Sequence, residues 1–122
     1  MEIVLSVCMI TYNHERYIAQ AIESVLSQTK NFPIELVIGD DFSSDNTRNI
    51  CLMYRDKYPS IIKLRFPDKN LGVMYNFIEN IKACQGKYLA ILEGDDYWTN
   101  PSKLQKQVDF LEKNQDYTIE TW

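Results

Sequence analysis

The run Ile3-Val4-Leu5-Ser6-Val7-Cys8-Met9-Ile10 is apolar almost without a break and rich in β-branched residues, which suits a strand covered on both faces. The next residues narrow the fold class. Thr11-Tyr12-Asn13 ends the run, and from Arg16 to Gln28 the apolar residues Tyr17, Ile18, Ala21, Ile22, Val25 and Leu26 recur at helical spacing. A doubly covered strand followed by an amphipathic helix is the building unit of a parallel sheet.

The unit then repeats. Asn31, Phe32 and Pro33 break the helix before Ile34-Glu35-Leu36-Val37-Ile38, a second apolar run that ends in Gly39-Asp40-Asp41. Ser43-Ser44-Asp45-Asn46-Thr47 offers helix N-caps, and Ile50, Cys51, Met53, Tyr54 and Tyr58 mark an apolar face up to Pro59. Ile61 to Phe66 reads as a third strand and Pro67 to Gly72 as a polar turn region. Met74, Phe77, Ile78 and Ile81 then fall on one side of a third helix, closed by Gln85-Gly86. Lys87 to Leu92 makes a fourth strand leading into Glu93-Gly94-Asp95-Asp96. Asn100-Pro101-Ser102 opens a last helix with Leu104, Val108 and Leu111 on its apolar side, through Asn114. Gln115 to Trp122 carry no clear pattern. The expectation is a single α/β domain over residues 1–122, Rossmann-like, with helices flanking a mostly parallel sheet.

Charge limits the partners. Thirteen Lys+Arg against seventeen Asp+Glu give a formal charge of −4, with no basic run to follow a phosphate backbone, so polymeric nucleic acid is not expected. A small phosphorylated ligand still fits an acidic site when a divalent cation bridges the two. Cys8, Cys51 and Cys84 show no Cys-x-x-Cys spacing and are odd in number, which argues against a disulfide framework or zinc site and for a reducing, cytoplasmic setting. The opening apolar run is too short to span a bilayer.

In open α/β sheets ligands bind outside the carboxyl ends of the strands. By that rule Thr11-Tyr12-Asn13, Asp40-Asp41 and Asp95-Asp96 become neighbours on one sheet edge, and four carboxylates are expected to face one crevice. Asp pairs at strand ends are also ordinary turn and cap residues, so it is the joint placement that points to function. Like charges packed together call for a compensating cation, and hard oxygen ligands suit Mg²⁺ or Mn²⁺, which commonly take one or two protein carboxylates and complete their shell with phosphate oxygens and water.

These residues resemble the inverting glycosyltransferases of family 2, with the GT-A fold, over nearly the whole chain. Ser6 to Asn13 is similar to that family's opening strand and Thr-Tyr-Asn turn, and Asp40-Asp41-Phe42-Ser43-Ser44-Asp45 resembles its Asp-Asp-Gly-Ser-Thr-Asp segment. Asn70-Leu71-Gly72 and Glu93-Gly94-Asp95-Asp96 resemble the next two motifs, in the same order and spacing. The resemblance implies a nucleotide-sugar donor, with UDP as the nucleotide, held by Thr11, Tyr12, Asn13, Asp40, Asp41, Asn70, Gly72 and Asp95. Within that set Thr11 and Tyr12 line the base, Asp41 accepts from the uracil N–H, Asp40 supports the loop, and Asp95 contacts ribose or sugar. Asp96 binds the Mn²⁺ or Mg²⁺ ion.

The same resemblance implies transfer with inversion to a carbohydrate or lipid-linked acceptor, as in cell-surface polysaccharide synthesis, with the protein in the cytoplasm or peripheral at the inner membrane face. The general base is expected outside this chain, which would then be truncated before the acceptor-binding half, and a sheet edge left open would favour self-association. Two departures stand out. Phe42 replaces the usual Gly after the acidic pair, which narrows the conformations open to that loop. Tyr75-Asn76-Phe77 lies where many relatives carry Arg.

Other residues read more plainly. His14, at the strand-to-helix turn, reads as a solvated or capping residue. Trp98 packs its loop on the core or walls an acceptor pocket, Lys69 and Arg65 read as solvated charges, and Cys8 and Cys51 as inert core residues. A phosphoacceptor receiver domain has a similar length and sheet, but its acid pair follows strand one, where this chain has Thr11-Tyr12-Asn13. A nucleotidyltransferase would show a Gly-rich basic loop at that place. A non-catalytic nucleotide-sugar-binding module would keep the same pocket without a base.

Overall fold

A computed structural model describes residues 2–114; the unassigned stretch 115–122 lies outside them. Strands β1 (Leu5–Thr11), β2 (Ile34–Asp40), β3 (Ile62–Arg65) and β4 (Tyr88–Ile91) alternate with helices α1 (Ile18–Leu26), α2 (Thr47–Lys57), α3 (Val73–Lys82) and α4 (Lys103–Lys113). All strand pairs are parallel, in the order β3-β2-β1-β4. The register runs from Leu5 opposite Ile34 to Thr11 opposite Asp40, so the first two acid-bearing or polar turns emerge side by side. The mostly parallel α/β sheet read from the sequence is the sheet found.

The strand order reverses after β3. The chain steps outward from β1 to β3, then crosses back through α3 to put β4 on the other side of β1. Right-handed crossovers therefore leave α1 and α2 on one face and α3 on the other. On the first face Leu5, Val7 and Met9 join Leu36, Ile38 and Ala90 in one core with α1, α2 and α4. Each fully buried Leu or Ile there contributes about 1.5–3 kcal/mol relative to exposure.

The second face is different. Alternate residues place Ser6, Cys8, Glu35, Gly39, Lys63 and Arg65 on it, and α3 meets them with two asparagines. Asn80 Nδ2 donates to the Val37 carbonyl at 3.0 Å and Asn76 Nδ2 to the Gly39 carbonyl at 3.0 Å. Arg65 donates to the Asn76 carbonyl at 2.8 Å and to both asparagine side chains. Gly39 is needed for this approach, since a Cβ there would lie 2.5 Å from Asn80 Oδ1 and 2.6 Å from Arg65 Nη2.

Three expectations change. Arg65 is half-buried rather than solvated, and burial lowers its guanidinium pKa from the ordinary value, partly opposed by Glu79 and Asp41. The apolar side of α3 is not the side against the sheet: Asn76 and Asn80 are buried while Met74 and Ile78 are exposed. Helix α1 begins at Ile18 rather than Arg16, because the His14 carbonyl takes the N–H groups of both Tyr17 and Ile18 and closes a turn first.

Candidate functional site

At the carboxyl edge of the sheet the loops are joined to one another by side chains. Asn13 sits at φ 54°, a left-handed conformation that asparagine tolerates, and its Oδ1 accepts the Ser44 N–H at 2.9 Å. Its own N–H donates to Ser43 Oγ at 2.8 Å, so the turn after β1 is fastened to the loop after β2. Just before α2, Asp45 accepts from Thr47 N at 3.0 Å and Thr47 Oγ1 at 2.6 Å. Burial opposes its charged form, but these donors and the Glu15 N–H outweigh it and hold the Asp45 pKa below the ordinary value.

The four aspartates do not share one crevice; the structure separates them. Asp40 is fully buried, accepting Ser43 N at 2.9 Å and Arg48 Nε at 2.6 Å. Arg48 also reaches the carbonyls of Asp40 at 3.1 Å and Pro67 at 2.7 Å, with its guanidinium over the rings of Phe66 and Phe42. A carboxylate this far from water needs such partners.

Asp41 faces the other way. Its two oxygens accept the N–H groups of Leu71 at 2.7 Å and Gly72 at 2.9 Å, while Asn70 Nδ2 donates to its carbonyl at 3.1 Å. Gly72, at φ 89°, makes the turn into α3. The Asn70-Leu71-Gly72 motif is thus clipped to the end of β2. Between the two acids' partners, Phe42 occupies φ 64°, the conformation for which glycine is suited.

Asp95 and Asp96 are exposed. Gly94 N donates to the Ile10 carbonyl at 3.0 Å, which draws the acidic loop against the end of β1. Asp96 Oδ1 accepts the Tyr97 N–H at 2.8 Å. Both acids line a cavity of about 800 Å³ with Glu93, Trp98 and Lys103. A second hollow of about 210 Å³ is lined by Thr11, Tyr12, His14, Asp41 and Glu93. Glu93 lies on both, so the two openings adjoin. Trp98 packs against the core and also lines the larger cavity.

His14 is the residue the sequence undervalued. Its Nδ1 is 2.9 Å from Thr11 Oγ1 and its Nε2 is 3.7 Å from Asp95 Oδ2. Nothing local in the sequence announces this, because the contact with Asp95 exists only once β1 and β4 are neighbours.

Among the described residues no group of three or more His, Cys, Asp or Glu side chains gathers to hold a metal unaided. Asp95 and Asp96 are hard oxygen donors exposed at the larger cavity, a type that suits an ion taking the rest of its shell from phosphate and water. No helix among the described residues is long and apolar enough to cross a membrane.

A parallel four-stranded sheet flanked by helices, with the loops after β1, β2 and β4 meeting at its switch point, is an α/β fold of the Rossmann-like class. The chain belongs to glycosyl transferase family 2, whose profile matches residues 6–121. It is 41% identical over 115 residues to the uncharacterized protein Rv1520 of Mycobacterium tuberculosis, covering 94% of this chain and 33% of that protein. The uncharacterized glycosyltransferase alr2836 of Nostoc sp. is 39% identical over 108 residues, covering 88% of this chain and 33% of that protein. Among solved structures, S. aureus TarS 1-349 in complex with UDP superposes with a TM-score of 0.80 at 29% identity, over 93% of this chain and 33% of that one. The chain thus spans about a third of the length of these relatives. The GT-A-type fold expected from the resemblance is the fold these structures share.

Proposed function

We propose that this chain is the nucleotide-sugar-binding part of a metal-dependent, inverting glycosyltransferase that uses a UDP-sugar. The observation that carries the reading is the pairing of two adjoining hollows, one walled by Thr11, Tyr12 and Asp41 and the other by Asp95 and Asp96. The UDP complex of TarS, at 29% identity, supports the nucleotide assignment.

In this reading the smaller hollow takes the base, stacked against Tyr12, and Asp41 accepts the ring N–H with lone pairs not used by Leu71 and Gly72. Asn13, Asn70 and Gly72 hold the loops that shape the hollow, and buried Asp40 with Arg48 fixes the loop between them. Asp95 accepts from a ribose or sugar hydroxyl. Asp96 is the ligand for Mn²⁺ or Mg²⁺, and Lewis-acid stabilisation of the charge on the departing diphosphate is the chemistry such an ion supplies when bound. The acceptor, a carbohydrate or lipid-linked hydroxyl compound, and the general base that activates it come from outside residues 2–114. A cytoplasmic site at the inner face of the membrane suits a lipid-linked acceptor.

Titration calorimetry of UDP with Mn²⁺, with Mg²⁺ and with chelator tests the reading. Binding is expected only with the cation, and Asp96→Asn is expected to remove that dependence while leaving the fold intact. UDP binding that ignores both chelator and Asp96→Asn would sink the role given to Asp96.

A further inference from the structure

We infer that His14 is a positioning residue of the nucleotide-sugar site, joining the buried Thr11 hydroxyl to Asp95 and so setting which Asp95 oxygen faces the ligand. The inference rests on the proposed nucleotide-sugar site and adds a residue to it. Four elements hold His14 in place. Its N–H donates to Thr47 Oγ1 of α2 at 2.9 Å, and its carbonyl accepts Tyr17 N at 2.9 Å and Ile18 N at 2.8 Å at the entry to α1. Its ring lies 2.9 Å from Thr11 Oγ1 of β1, and the Gly94-Asp95 loop after β4 closes over it. The side chain keeps 21% of its surface exposed, against 46% for Asp95, so the imidazole is a walled group meeting a freer one.

Gly94 makes this approach possible. A Cβ there would stand 2.6 Å from Thr11 Oγ1 and 3.0 Å from His14 Nδ1. The loop is therefore pressed against the Thr11–His14 pair with no room for a side chain, and the next residue along the chain is Asp95.

The polar partners select a tautomer. A threonine hydroxyl can rotate to donate to Nδ1, which leaves the proton on Nε2, pointing toward Asp95 Oδ2 at 3.7 Å. The opposite tautomer would set the Nε2 lone pair against a carboxylate. With Oδ2 turned to the ring, Oδ1 is the oxygen left to accept a ligand hydroxyl. His14 touches no ligand in this scheme; it acts through Asp95.

Two measurements test this. Imidazole ¹⁵N spectra of the wild-type protein without nucleotide are expected to show the Nε2–H tautomer, with the Nε2 resonance moved by Asp95→Asn. The Nδ1–H tautomer, or no response to Asp95→Asn, overturns the inference, and this holds whether or not UDP binds. In calorimetry with UDP and Mn²⁺, His14→Ala is expected to weaken binding about tenfold, because Asp95 loses the ring that stands 3.7 Å from its Oδ2 and orients it. His14→Gln, whose amide nitrogen reaches the place of Nε2, is expected to recover most of that, and His14→Asn, which reaches only the place of Nδ1, is not. Equal losses in the Ala and Gln variants overturn the inference. Failure of the wild-type protein to bind UDP counts instead against the nucleotide assignment.

Discussion

Arg48 Nε lies 2.6 Å from Asp40 Oδ2, and that carboxylate has no exposure to solvent. The pair lies beneath the site rather than in it: Arg48 is also held by the Pro67 carbonyl at 2.7 Å and by the ring of Phe66, so it joins the ends of β2 and β3. Arg48→Ala would leave a buried anion with only Ser43 donating to it. A cost of about 3–5 kcal/mol is expected, measured by urea unfolding, with partial recovery in the double variant Arg48→Ala, Asp40→Asn.

Phe42 holds φ 64° with no β-carbon-free residue to make that easy. Backbone strain of this sort costs about 1–3 kcal/mol, against about 0.5–1 kcal/mol for its exposed contact with Arg48. Phe42→Gly is therefore expected to stabilise the protein by roughly 1 kcal/mol and to raise Tm by about 4 °C or more, read by calorimetry. A lower Tm would mean that the ring contributes more than its contacts suggest.

Asp41 accepts two backbone N–H groups with two different oxygens. Asp41→Asn offers one acceptor and one donor in their place, so either Leu71 or Gly72 loses its partner. Faster amide exchange at the start of α3 and UDP affinity lowered about tenfold are expected. Unchanged exchange would show that Gly72 and α3 keep their place without the clip.

Glu35 is buried on the polar face of the sheet, where it accepts Ser6 Oγ at 2.5 Å and Gln85 N at 2.5 Å and pairs with Lys63 Nζ at 2.6 Å. Burial alone would raise its pKa; Lys63, Ser6 and Gln85 together outweigh that and lower it from the ordinary 4.5. A depressed carboxylate pKa adds stability that is complete above pH 4.5 and is lost as pH falls through the lower, folded-state value. Glu35→Gln is expected to narrow its stability gap to wild type as pH is lowered from 6 to about 3. A gap that does not change with pH would show the group to be uncharged or unpaired in the folded protein.

The strands were legible because burial on both faces leaves near-continuous apolar runs, and β2 could be read from Ile34 to Ile38 with its acids attached. Legible too was the meeting of Thr11, Asp41 and the Asp95-Asp96 loop at one edge, since parallel topology brings strand ends together whatever the side chains. The separation of Asp40 from Asp41 was not, because adjacent residues of an extended segment point opposite ways and only the surroundings decide which way is in. Helix α3 misled for a related reason. Its apolar residues outnumber the others, but the sheet face beneath it carries Glu35, Gly39 and Arg65, and the buried side had to be Asn76 and Asn80. Arg65 and His14 read as solvated because the partners that hold them, Asn76 for one and Thr47 and Asp95 for the other, lie on other elements.

The asparagine attachment of α3 also bears on how the molecule comes apart. The opposite face is joined by a dry, cooperative core, whereas α3 is held to the sheet largely by amide and guanidinium contacts that water can replace, with Val73 72% exposed at its first turn. Detachment of α3 alone would release Leu71 and Gly72 from Asp41 while the other helices stayed packed. Recognition of the nucleotide would then fail in a partial opening, at temperatures where circular dichroism still reports most of the folded chain.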